Sequence, residues 1–304
     1  MRNAISLALS TSILSSFAVA GEVKVWAWDP NFNVAIMNDA AEIYSQTHPD
    51  FSLVVEDSSK DSVVQKLHTS LSSGVTNALP DIVLIEDYNA QKFLHAYPNY
   101  FVPLNSYIDY TKFAPYKVEL MTIDKNTYGV PFDSGVTGLF YRSDYIQSAG
   151  YTHENLVDIT WDELIKIGVD VKAKTGKSLL SYDPNDASLI RVMMQSAGAW
   201  YFDENGQLNI KDNEALQAAL KVIKDLHTNN VIRPITGWPD FVSSFNNGDV
   251  VTVPTGVWIT ATIKSQSSQS GKWQVAPIPK LEVKGAKADL KSRRVKLVCV
   301  EYIR

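Results

Sequence analysis

The stretch Glu22-Val-Lys-Val-Trp-Ala-Trp28 decides how the rest of the chain is read. Seven residues, mostly β-branched or aromatic and without Gly or Pro, form a strand. Working outward, residues 34–47 place Val34, Ile36, Met37, Ala40, Ala41, Ile43 and Tyr44 on a broad apolar helical face. Ser52–Glu56 reads as a second strand. Asp61–Leu71 sets Val63, Val64, Leu67 and Leu71 on one helical stripe. Asp81-Ile-Val-Leu-Ile85 is a short buried strand after Pro80, and Asn89–Ala96 is a short helix. Strands that alternate with helices predict a layered, mostly parallel α/β lobe. Right-handed crossovers place its binding edge at the C-terminal ends of the strands.

A second unit starts near Tyr128-Gly-Val-Pro131. Thr160-Trp-Asp-Glu163 is a capping box that opens a helix to about Lys174, with Gly176 just beyond. Further helices are expected over Ala187–Gly198, over Asn213–Asn229 with Leu216, Leu220, Ile223 and Leu226 on the apolar face, and over Trp238–Asn247. Val250–Val253 reads as a strand, Gly256–Lys264 as helical and Trp273–Pro279 as extended.

The chain has 304 residues, 45% of them hydrophobic and 20% charged, which suits globular domains and excludes a disordered or collagen-like chain. Its net charge of −5 supplies no basic field for nucleic acid or an anionic membrane surface. A single cysteine, Cys299, excludes an intramolecular disulfide framework. Met1-Arg2, an apolar run over Ala4–Val19 and the small-x-small sequence Ala18-Val19-Ala20 read as a signal peptide over residues 1–20. The alternative is a buried N-terminal helix. An exported chain, with the bacterial periplasm as its compartment, is expected. Residues 284–304 carry seven basic and two acidic residues. They read either as a partner arm or, by their abrupt change of composition, as a frameshifted or artificially terminated end.

Enzyme signatures are absent from the sequence: no nucleophile elbow, Walker loop, dinucleotide fingerprint or His-Glu-x-x-His. His48, His68, His95, His153 and His227 do not pair at ligand spacing, so neither metal nor cofactor is expected. Asp29, Glu56, Asp87 and Asp133 leave paired-carboxylate chemistry open. Aromatic residues beside carboxylates or amides stand out in loops: Trp26-Ala-Trp-Asp-Pro-Asn-Phe-Asn33, Glu86-Asp87-Tyr88, Pro131-Phe-Asp-Ser134, Trp200-Tyr-Phe-Asp203, Trp238-Pro-Asp240 and Gly256-Val-Trp258. Sugar recognition needs this mixture, because pyranose faces stack on rings while hydroxyls need planar polar partners. The alternative is that each Trp packs a core, the expectation for Trp161 and Trp273.

Tyr128-Gly-Val-Pro-Phe-Asp-Ser-Gly-Val-Thr-Gly-Leu-Phe-Tyr-Arg-Ser-Asp144 resembles the inter-lobe segment of extracellular solute-binding proteins of ABC sugar importers, the group that includes maltose-binding proteins. The order continues through Thr160-Trp-Asp-Glu-Leu164, Gly198-Ala-Trp200, Asp240-Phe-x-x-Ser-Phe-x-x-Gly248, Gly256-Val-Trp258 and Lys272-Trp-Gln-Val-Ala-Pro-Ile-Pro-Lys280. Pro80-Asp-Ile-Val-x-x-Glu-Asp87 resembles the acidic ligand contact of the first lobe. The resemblance covers residues 21 to about 283. It implies an α/β, two-lobed periplasmic binding protein fold of type II-like topology, with lobes joined by extended hinges near Val130 and Pro277. The implied N-lobe spans 21–129 with a return segment near 277–283, and the C-lobe spans 130–276. It further implies ligand bonds from Asp87 and cleft contacts from Trp200 and Trp258, with Trp26, Trp28, Asp29, Asp133 and Trp238 as further cleft residues. In that family the chain returns to the first lobe after the Ala-Pro-Ile-Pro-like segment. Here residues 284–304 stand in its place, so a truncated or frameshifted product is expected.

The function these readings imply is capture of a mono- or oligosaccharide and its delivery, unaltered, to ABC permease subunits, by a protein expected to be a monomer. Three alternatives stay open. One is a binding protein for a polyamine or other non-sugar solute, drawn to the four carboxylates. The second is a secreted glycoside hydrolase or lyase. The third is an inactive truncated product.

Overall fold

The computed structural model describes residues 22–203 and 205–283. The expected signal peptide and the basic tail 284–304 lie outside the described residues. The chain divides into two compact units, one built from 22–70 and 75–84, the other from 71–74 and 85–283.

In the first unit, β1 (Glu22–Ala27) is followed by α1 (Asn33–Ser45), β2 (Ser52–Asp57), α2 (Lys60–Ser73, whose last three residues group with the second unit) and β3 (Ile82–Val83). The sheet order is β2-β1-β3 and both pairings are parallel. Val25, Trp26 and Ala27 are all buried, so both faces of β1 are covered at its C-terminal half. That suits the parallel strand expected from the alternation of strands with helices. β3 is shorter than the expected 81–85, yet backbone bonds Asp81 N to Lys24 O (3.0 Å) and Leu84 N to Trp26 O (2.9 Å) extend the pairing. On α2, Val63, Leu67 and Leu71 are buried as the stripe predicts. On α1 the broad apolar face is only partly covered: Ile36 is 41% and Ile43 67% exposed. Tyr44 finds local cover instead, its ring stacked on His48 at 3.9 Å and edge-on to Phe51 at 4.8 Å.

The second unit opens with α3 (Asp87–Ala96), α4 (Pro115–Leu120) and a short antiparallel pair, β4 (Thr122–Ile123) and β5 (Asn126–Thr127). Then come β6 (Thr137–Arg142), α5 (Ser143–Ser148), α6 (Trp161–Thr175), β7 (Leu180–Tyr182), α7 (Ser188–Ser196) and α8 (Glu214–Thr228). β8 (Ile232–Pro234), α9 (Gly237–Asn246), β9 (Thr252–Gly256), α10 (Thr260–Lys264) and β10 (Trp273–Ala276) complete it. β6 runs antiparallel between β10 and β9, and β7 pairs parallel with β8. The expected strand at Val250–Val253 is displaced to Thr252–Gly256. Residues 250–252 run between two neighbours: Val251 N bonds Ser178 O (2.9 Å) and Thr252 N bonds Leu179 O (2.7 Å), while Val251 O already accepts from Arg142 N of β6 (2.8 Å).

α6 shows how local sequence sets an element. Thr160 Oγ1 accepts from Glu163 N (3.2 Å) and Glu163 Oε2 accepts from Thr160 N (2.8 Å), closing the capping box. Gly176 ends the helix at φ +72°, a conformation that costs glycine little. Its buried face presents Trp161, Leu164, Ile165 and Val171 to Leu179, Met193, Met194, Ala219 and Leu226. On α8 the buried positions are Ala215, Ala219, Val222, Ile223 and Leu226. Leu220, expected on that face, is 49% exposed. The buried stripe is centred one position earlier, on the small Ala219, which lets α8 come close.

Gly168 sits mid-helix in α6, where an added Cβ would stand 2.8 Å from Leu179 Cδ2 and 2.9 Å from its Cβ. Helix propensity favours Ala by about 1 kcal/mol, but overpacking costs about 1–3 kcal/mol. Gly168→Ala is therefore expected to lower the urea midpoint, and a raised midpoint sinks the close-packing account. Thr160→Ala removes a cap and should cost about 1 kcal/mol, read as a fall in the same midpoint.

Candidate functional site

The C-terminal ends of β1 and β2 gather the polar and aromatic residues of the first unit. Trp26 and Trp28 are both buried, at 8% and 5% exposure. Asp29 follows in the left-handed region, at φ +63°, which Asp tolerates better than most side chains. Its carboxylate accepts from Asn31 N (3.2 Å) and its carbonyl from Val34 N (3.1 Å), so this residue turns the chain from β1 into α1. Trp26 pairs in register with Glu56, and Ala27 with Asp57. Two indoles and three carboxylates therefore share one edge of a parallel sheet, the edge expected to bind.

Lys66 of α2 joins them. Its Nζ lies 2.5 Å from Glu56 Oε1 and 5.5 Å from the Trp26 ring. The hydrogen bond from Lys66, with further bonds from Trp26 and Ser58, holds the Glu56 carboxyl below its ordinary range. Glu56 and Lys66 are each about half exposed, so the pair contributes at most about 1 kcal/mol. Burial pushes the Asp57 carboxyl up, and the charge of Asp29 adds to the effect.

In the second unit, Asp87 stands in the first turn of α3 and forms an ion pair with Lys117 of α4. Asp133 is half-buried in the extended run after β5, next to Phe132, which is 40% exposed, and Ser134. Ser134 Oγ lies 2.5 Å from Tyr116 Oη. Trp200 is half-buried, tilted against Tyr201 at 5.0 Å, and its carbonyl accepts from Asn213 Nδ2 at 2.8 Å. Trp238 and Trp258 meet with ring centroids 5.5 Å apart. Trp258 is 4% exposed and Trp238 half-buried, so Trp238 keeps the more open ring of the two. Trp161, expected in the core, is 1% exposed, and Trp273 donates to Gln269 Oε1 at 2.7 Å. A groove of about 540 Å³ beside α6 and α8, lined by Asp162, Lys166, Asp170 and Asp225, holds none of the expected site residues.

Lys66 and Lys117 were not among the residues singled out from sequence. Each meets its carboxylate across 10 and 30 residues of chain, a spacing that carries no local signature. The raised Asp57 carboxyl has a sign that can be checked. Its charged form is disfavoured in the folded state, so Asp57→Asn should raise the urea midpoint at pH 7. That gain should vanish as the pH falls below the ordinary Asp range, where the native carboxyl is protonated in both states. A gain independent of pH rejects the electrostatic cause.

Residues 39–292 match the family model described as bacterial extracellular solute-binding protein. The match runs past residue 283, where the resemblance read from sequence ends. The chain is 52% identical over 290 residues to the lactose-binding protein of Rhizobium radiobacter, covering 95% of this chain and 69% of that one. It is 26% identical to the arabinooligosaccharide-binding protein of Halalkalibacterium halodurans, over 88% of this chain and 60% of the relative. The chain thus spans about two thirds of the length of these relatives. Among solved structures, the GacH receptor of Streptomyces glaucescens, crystallised free and with acarbose, superposes with a TM-score of 0.74 at 23% identity, over 86% of this chain and 67% of that one. That likeness carries the fold class expected above. With most of its length matched by the family model and 52% identity to a curated relative over 290 residues, the chain belongs to the bacterial extracellular solute-binding protein family.

Proposed function

We propose that this protein captures a carbohydrate and hands it unaltered to the permease subunits of an ABC importer, with lactose or a close β-galactoside as first candidate. The observation that carries this is 52% identity across 95% of the chain to a lactose-binding protein. The residues support it: indoles and carboxylates stand together at the ends of β1 and β2, and Asp87, Trp200 and the Trp238–Trp258 pair add the same chemistry in the second unit. Ring faces cover the apolar faces of a pyranose, and carboxylates accept from its hydroxyls. The assignment of Trp26, Trp28, Asp29, Asp87, Asp133, Trp200, Trp238 and Trp258 as ligand contacts belongs to this proposal. So do the lobe boundary at 129–130 with its return segment near 277–283, a monomeric protein, and export to the periplasm with cleavage after Ala20. No bond is made or broken. Ligand contacts drawn from both lobes shift the population towards a closed form, which the permease reads.

A specific observation disfavours the polyamine reading. Two of the four carboxylates it would use, Glu56 and Asp87, each hold a lysine. The rival hydrolase is separated by its product. The protein with lactose in a calorimeter should give saturable heat of binding and no free glucose. Release of glucose with turnover, or binding of spermidine without binding of any sugar in a panel, overturns the proposal. Asp87→Asn should weaken lactose binding about ten- to a hundred-fold, since hydrogen bonds to a charged group contribute about 1.5–3 kcal/mol.

A further inference from the structure

We infer that Lys117 is a positioning residue: it fixes the orientation and cancels the charge of Asp87, and so sets this position to an uncharged hydroxyl-bearing ligand against a polycation. The inference rests on the proposed contact between Asp87 and ligand, and it adds what that contact selects.

The pair is unusual for its burial. The Lys117 side chain is 6% exposed and that of Asp87 15%, against 46% and 50% for Lys66 and Glu56. Lysine is almost never buried without a partner, because withdrawing an ammonium from water is costly. The pairing is reached across two elements, from α4 to the first turn of α3, over 30 residues of chain. α4 is short, six residues held between Pro115 at its start and Met121 at its cap. The neighbouring Tyr116 is tied to Ser134 at 2.5 Å, which fixes α4 against the extended run that carries Asp133.

Geometry decides what Asp87 offers. Lys117 Nζ engages Oδ2 only. Among the described residues no protein donor is recorded at Oδ1. A carboxylate pinned through one oxygen presents the other in a set direction, as a neutral hydroxyl donor requires. An ammonium group at the same place meets Lys117 Nζ within a few ångströms, and like charges there repel. The first unit repeats the device with Lys66 on Glu56, in a more exposed setting.

The test measures lactose and spermidine affinity by calorimetry for the wild type, Lys117→Met, Lys117→Arg, Asp87→Asn and the Asp87→Asn/Lys117→Met double variant, each checked by its melting transition. The wild type should bind lactose and not spermidine. Lys117→Met should lose at least ten-fold in lactose affinity and acquire measurable spermidine binding, which a purely structural lysine would not produce. Lys117→Arg, which keeps the charge, should recover lactose affinity to within a few-fold. If Lys117 acts through Asp87, adding Lys117→Met to Asp87→Asn should change lactose affinity less than two-fold. That comparison does not need Lys117→Met alone to fold. It needs two variants to keep their melting transitions: Asp87→Asn, which leaves the Lys117 ammonium unpaired, and the double variant, which buries no unpaired charge. Wild-type binding of spermidine, a folded Lys117→Met that gains none, or a further large loss in the double variant overturns the inference. If Asp87→Asn leaves lactose affinity untouched, the contact itself is wrong and the inference falls with it. If Asp87→Asn weakens binding but Lys117→Met does not, only the role of Lys117 is lost.

Discussion

A buried strand must find a partner for every N–H and C=O it carries, and that requirement organises both units. In the first, β1 meets it with parallel neighbours on either side, which brings the C-terminal ends of all three strands to one edge. Trp26, Trp28, Asp29, Glu56 and Asp57 are neighbours for that reason. In the second, β6 is buried almost throughout and meets the requirement with antiparallel partners more than 100 residues later in the chain. Its ladder carries Tyr141 and Arg142 inward. Tyr141 Oη meets His153 Nδ1 at 2.8 Å, and Arg142 Nε and Nη2 grip Asp144 at 2.8 and 2.6 Å.

The electrostatics follow a second regularity. The chain is acidic overall, yet carboxylates at the candidate site are not bare. Glu56 is held by Lys66, Asp87 by Lys117 and Asp29 by its own turn. A carboxylate used to accept hydroxyl hydrogens must be ionised and aimed, and it must not attract every passing cation. Placing a lysine behind it serves all three needs. The aromatic residues divide in a similar way. Trp161 and Trp258 are almost wholly enclosed, whereas Trp200 and Trp238 keep part of their rings open.

What was legible beforehand followed from local physics. The capping box at Thr160–Glu163 and the glycine stop at 176 each act within a few residues, so their signal is written in consecutive letters. The alternation of strands and helices over 22–96 was legible because a parallel strand reads as an apolar run and its crossover helix as a stripe. β7 and β8 were not recognised as strands because each has only three residues, and β6 was not because its partners lie more than 100 residues further along the chain. Leu220 was misplaced because side-chain size drew the stripe towards leucines, whereas packing centred it on Ala219. At the candidate site the aromatic and acidic letters were visible; the lysines that partner them were not.

The α/β alternation, the helix ends and the residue types able to grip a sugar are written locally, because propensity, capping and periodicity operate over a single turn or strand. Which carboxylate carries a lysine and which indole is sealed in the core emerge only on folding. Those outcomes depend on contacts across 10, 30 or more residues of chain, where burial and charge are properties of the packed neighbourhood and of no single segment.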